Sequence, residues 1–196
     1  MDYKELAELT LKDVDETIDM LGGANGVKRF LKGLLVLKET YKIDTWMNIE
    51  LGNFSDPQAV IHALNTNGFF TNSASDFVIK KIDFGTKRKV DLTKITGADL
   101  GLCEEYGLDE LYKTAEKFGL EPCPAEVGPT LRLKCHYKES ILIAMKPIIG
   151  NENLPAIFSL EYHEFRDPAL YIFHVYDSIK FTPDNTWVFT RKKETK

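Results

Sequence analysis

The sequence predicts an α+β fold, and three observations carry that prediction. The final third alternates apolar and polar residues in short runs split by turn residues. A helical pattern with signals at both ends occupies 107–120, and two short helical patterns joined by glycines fill the first third. Short helices and a small strand–helix unit are therefore expected in the N-terminal half, and an antiparallel sheet meander in the C-terminal half.

The first element is a short helix over "LTLKDVDETIDMLGG". Thr10 and Asp13 satisfy free amide donors at its start, Val14, Ile18 and Leu21 form one apolar stripe, and Gly22 and Gly23 stop it. "ANGVKRFLKG" predicts a second helix carrying Val27, Phe30 and Leu31 and ending at Gly33. "IDTWMNIELG" (43–52) has period two, with Ile43, Thr45, Met47, Ile49 and Leu51 on one side, and reads as a half-buried strand. "SDPQAVIHALNTNG" supplies a cap at Ser55 or Asp56, Pro57 in the first turn and a stop at Gly68, the marks of a helix. A further short helix is expected over 72–84, and an exposed basic strand over 87–95 with Lys87, Arg88, Lys89 and Lys94.

Over 107–120, Asp109 and Glu110 stand near the start, Lys117 near the end and Gly119 after it, as the helix dipole and a left-handed cap favour. Five strands follow: "LRLKCHY" (131–137), "SILIAMKPI" (140–148), "AIFSLEYHE" (156–164), "ALYIFHVYD" (169–177) and "NTWVFTRKK" (185–193). Their short connections suit hairpins, because a parallel crossover needs a dozen residues or more. The pattern reads as one compact unit over 1–196. A subdivision into a helical and mixed part, 1–95, and a helix-plus-sheet part, 96–196, is only faintly marked near "TGADLGL".

Composition narrows the function. The chain has 196 residues, 43% of them hydrophobic and 28% charged, with a formal net charge of −5. That balance argues against a nucleic-acid binder, which needs a basic stripe to neutralise phosphates. The second helix of the N-terminal pair (24–33), with Lys28, Arg29 and Lys32, and the basic strand (87–94) keep that reading as a third alternative, while the basic tail "RKKETK" reads as a solvated terminus. No apolar run approaches the roughly 20 residues of a membrane span, and the N-terminus lacks the apolar core of a signal peptide. Three cysteines, an odd number, do not form a disulfide framework, and a cytoplasmic location is expected.

"LGGANGVKRFLKG" (21–33), "CPAEVGPTLRL" (123–133), "IAMKPI" (143–148) and "WVFTRK" (187–192), taken in that order, resemble a widespread set of bacterial proteins prominent in the reduced genomes of candidate-phylum bacteria. The resemblance spans most of the chain, and "CPAEVGP" followed by "LRL" is its most specific part. The set has no established activity, so the resemblance implies no catalytic residue. Two departures stand out. Where the set carries an aspartate- and glycine-rich turn, this chain has "IGNENLPAIF", whose Asn151, Glu152 and Asn153 make a weaker oxygen set for a cation. Tyrosine is common in the set where Cys135 stands.

"EPCPAEVGPTLRLKCHY" (121–137) concentrates the reactive residue types. Zinc wants paired ligands at short spacing, whereas Cys123 and Cys135 are twelve apart, and Cys135 and His136 point to opposite sides of the expected strand. His163 and His174, on neighbouring strands, leave a site short of ligands, so no metal or cofactor is expected. Cys123, between Pro122 and Pro124, is the candidate nucleophile if a helical turn follows it, with His163 or His174 as base; its other reading is a small buried hydrophobe. Glu126 and Arg132 either pair to hold the turn against the sheet or face a cleft and bind a polar ligand. Gly128-Pro129 reads as the entry to a strand.

The last strands are aromatic: Tyr162, Phe165, Tyr171, Phe173, Tyr176, Phe181, Trp187 and Phe189. Tyr171 and Phe173 share one side of their strand and His174 and Tyr176 the other. A sheet aromatic on both sides either covers its second face with helices or presents it to a partner. The reading that follows is a non-catalytic binding or interaction module that meets another protein through the C-terminal sheet, with no membrane partner. The alternative is a small enzyme or ligand-binding protein with its site around Cys123, Glu126 and Arg132.

Overall fold

A computed structural model describes residues 10–20, 23–31, 43–135, 139–164 and 166–191. The chain divides into two compact units, 1–42 and 43–196. The expected helix stop at Gly22, the end at Gly33, His136 and the basic tail from Lys192 onward lie outside the described residues.

The first unit contains α1 (Leu11–Met20) and α2 (Gly23–Leu31), which pack on each other. Gly23 has φ +75, a left-handed conformation that glycine adopts without the steric cost of a β-carbon.

The second unit is α+β. Its elements are β1 (Met47–Leu51), α3 (Pro57–Thr66), β2 (Phe70–Thr71), α4 (Ser73–Ile79), β3 (Arg88–Thr96), a 3-10 turn (Ala98–Leu100), α5 (Leu108–Lys117), β4 (Leu120–Glu121), α6 (Val127–Lys134), β5 (Ile141–Ile143), β6 (Ile148–Ile149), β7 (Pro155–His163), β8 (Arg166–His174) and β9 (Thr186–Arg191). The end signals of the predicted helices work as capping chemistry requires. Asp56 accepts from the Ala59 amide at 2.9 Å ahead of Pro57, and Asn72 accepts from the Ser75 amide at 2.8 Å.

One mixed sheet, mostly antiparallel, runs β1-β3-β9-β5-β7-β8-β2, with β4 paired to β9 and β6 to β7. The meander is real through β5, β7 and β8. β9 then departs from it and inserts between β3, antiparallel, and β5, parallel. That insertion makes β3 an inner strand with Leu92, Thr93 and Ile95 buried, where an exposed strand is expected from its lysines.

The expected strand over 131–137 is instead the second half of helix α6, ending at Lys134. Pro129 occupies the first turn, where a missing N–H removes no helical bond, and Leu131, Arg132, Leu133 and Lys134 are straight-chain helix formers. Gly-Pro here opens a helix. α6 packs on β1, β7 and β8 and on α3. A β-carbon at Gly128 would stand 2.6 Å from the Phe158 ring, so the glycine lets the helix lie directly on β7.

Strand alternation and register divide the sheet's side chains between two faces. Phe158, Leu160, Leu170, Ile141, Ile143 and Val188 share the α6 face. Leu142, Ser159, Glu161, Tyr171, Phe173, Trp187 and Phe189 share the opposite one. Tyr112 of α5 meets Phe189 edge-on at 6.4 Å, and Trp187 is enclosed by Phe181 and donates its indole N–H to the Tyr106 hydroxyl at 2.9 Å. Cover thins beyond it: Leu142, Ile157, Ser159 and Ala169 on this face are still buried, while Phe173 is 37% and Phe70 52% exposed.

Candidate functional site

The stretch 121–135 builds a buried joint. β4 pairs with β9, and the chain then turns inward at Pro122. The Cys123 amide donates to the Ala144 carbonyl at 2.6 Å and its thiol to the Val188 carbonyl at 3.4 Å. The thiol thus lies against β9 and bonds a backbone carbonyl, not an imidazole. Burial pushes its pKa well up from the ordinary 9.0, the opposite of what a thiolate nucleophile needs. Cys135, also buried, contacts the Met47 sulfur at 3.8 Å and is pushed up by the same cause.

Glu126 and Arg132 do not pair with each other. With 131–134 helical, they occupy opposite ends of α6, and each is buried at its own joint. Glu126, 1% exposed, accepts the Gly85 amide at 2.7 Å and lies 3.1 Å from the Arg88 guanidinium. It ties the β3 approach to the head of α6. Arg132, 0% exposed, donates to the carbonyls of Cys135 and Glu161, the latter at 3.4 Å, and sits 5.1 Å from the Phe69 ring centroid. Burial pulls the guanidinium's pKa below its ordinary value. Its Nε has no hydrogen-bond partner among the described residues.

The histidines stand elsewhere. His163 ends β7, in register with Arg166, and its side chain lies outside the described residues. His174, in β8, is half-buried, with Nε2 3.9 Å from the Glu152 carboxylate. Among the described residues no group of three His, Cys, Asp or Glu is placed to hold a metal ion, and no helix is long and apolar enough to cross a membrane. Of the basic strand, Arg88 is engaged by Glu126, while Lys94 pairs with Glu139 and lies 5.4 Å over Trp46.

This arrangement fixes the expected thiol chemistry. Iodoacetamide should modify Cys103, the exposed cysteine, and leave Cys123 and Cys135 unmodified until the protein unfolds. Peptide mass mapping after a short native exposure reads the outcome; rapid native labelling of Cys123 would restore it as a nucleophile.

On the less covered sheet face the sequence patterns show Tyr171 and Phe173 but miss Phe70, Ser140, Ser159 and Glu161. Phe70 of β2 meets Tyr171 of β8 edge-on at 5.9 Å, and Phe173 lies 5.6 Å from Phe181. Beside them is a cleft of about 350 Å³ lined in part by Ser140, Ser159, Glu161, Phe173, Phe181 and Asn185. Tyr171 and Phe173 carry the period-two signal. Phe70 is contributed by a two-residue strand too short to show one.

Fold and face together define an α+β protein whose mixed sheet is buried on one side and partly open and aromatic on the other. No family model matches the chain, and no curated protein or solved structure matches it either.

Proposed function

We propose that this chain is a binding module that engages another protein through the open face formed by β2, β7 and β8. The observation that carries this reading is the exposure of Phe70 and Phe173 on one sheet face, with Tyr171 of β8 edge-on to Phe70. Large aromatics grouped on a surface mark an interaction site more often than single exposed apolar residues do, because their burial on association removes much apolar area from water. The reactive residues of 123–132 support the same reading: their bonds are made to backbone groups and to Arg88, at joints between elements.

A double variant, Phe70→Ser with Phe173→Ser, tests it in quantitative capture from native lysate by the full chain. A partner retained by the wild type should bind the double variant at least about tenfold more weakly, since central aromatics dominate interface energies. Undiminished capture by a folded double variant would remove the open face as the binding surface.

A further inference from the structure

We propose that the cleft on the open face receives an arginine side chain of the partner protein, its guanidinium seated on the Glu161 carboxylate beside the Phe173 ring. This rests on the open face being the protein-binding surface. The Ser159 hydroxyl donates to Oε1 of Glu161, and the Ser140 hydroxyl donates to Oε2 at 2.7 Å. A carboxylate has about four lone-pair positions, two on each oxygen. With one serine on each oxygen, both oxygens keep an acceptor position. That pair matches the parallel N–H groups of a guanidinium, whereas an ammonium acts as a single point charge.

Charge points the same way. Among the described residues no lysine, arginine or histidine is paired with Glu161. Lys180 also lines the cleft, but its Nζ comes 4.0 Å from where a Gly107 β-carbon would stand, at the head of α5. Among the described residues lining the cleft, the carboxylate of Glu161 is thus the charge not directed toward α5. Phe173, 37% exposed and backed by the Phe181 ring, supplies an aromatic wall, and cations are attracted to ring faces within about 6 Å. The floor is held from below. Ser159 is buried, and Arg132 donates to the Glu161 carbonyl from the α6 side.

The test is a titration of the full chain, followed by amide chemical shifts, with three capped tripeptides of sequence Gly-X-Gly. X is arginine, citrulline (the same shape without the charge) or lysine, and free L-arginine is a fourth probe. The arginine peptide should move the amides of Ser140, Ser159, Glu161 and Phe173. Citrulline should bind about tenfold more weakly, lysine about threefold more weakly, and Glu161→Gln should erase the preference for arginine over citrulline. Equal shifts with arginine and citrulline, or shifts mapping away from these four residues, would overturn the arginine assignment. Free arginine binding as tightly as the peptide would overturn the protein source. Lysate capture lost in the Phe70 and Phe173 double variant but kept in Glu161→Gln would sink the arginine assignment alone and leave the binding face standing.

Discussion

Replacing Arg132 by alanine is expected to lower folding stability by about 4 kcal/mol, within the range seen when a large buried side chain is removed together with its hydrogen bonds. Three losses add. A fully buried side chain leaves a cavity beneath α6. The Cys135 and Glu161 carbonyls lose a charged donor. Phe69 loses the cation beside its ring. For a chain of this size, such a change lowers Tm by about 8–16 °C. Arg132→Met separates the contributions, since methionine refills much of the space without a donor. It should recover roughly half of the loss, because an unmatched buried carbonyl costs about 1–3 kcal/mol. Urea unfolding of the three proteins measures both steps. A loss below about 1 kcal/mol for alanine would show that the two bonds and the packing contribute little.

Gly128→Ala is the second large effect, and its sign is informative. Gly128 lies inside α6 with no positive φ, so helix propensity alone would stabilise the alanine variant by about 1 kcal/mol. The added β-carbon, however, would stand 2.6 Å from one Phe158 ring atom and 2.8 Å from another. Both helix and strand are buried there, so relief requires α6 to lift from β7 or Phe158 to leave its rotamer. Overpacking of this kind costs about 1–3 kcal/mol and should outweigh the propensity gain, for a net loss of about 2 kcal/mol. Phe158→Leu in the same chain should rescue part of that loss, so the two substitutions together cost less than their sum. A stabilised Gly128→Ala variant would mean that the helix and β7 are not in close contact.

Local signals made some of this fold legible and left the rest hidden. α3 and α5 could be read because caps, dipole charges and terminating glycines agree with the apolar stripe. β1, β7 and β8 could be read because alternation survives wherever one face is more buried than the other. α6 could not. Its Gly-Pro opens helices and strands alike, and eight residues with apolar positions on every side show no period. Nor does any local pattern place β9, whose order in the sheet is decided by partners some 90 residues upstream, such as Ile95 for Trp187. The candidate site shows the same division. The density of Cys123, Glu126 and Arg132 is visible in the sequence, but burial and partners decide that they hold backbone together. The Glu161 cleft draws Ser140 from the approach to β5, Ser159 from β7 and Phe173 from β8, and nothing adjacent in the chain announces it.

The place of β9 between β3 and β5 also sets an order in time. While the chain is being synthesised, β1 with β3 and β5 with β7 and β8 can each pair as soon as they emerge. They remain two ribbons with facing open edges until residues 186–191 appear and fill the gap. Pairing across so long a separation carries a large loop-closure cost and is slow. The nascent protein therefore passes through an interval in which two unsatisfied strand edges and the future contacts of Trp187 are exposed together. That interval, more than the finished fold, is when this chain is most open to aggregation and to helpers that shield strand edges.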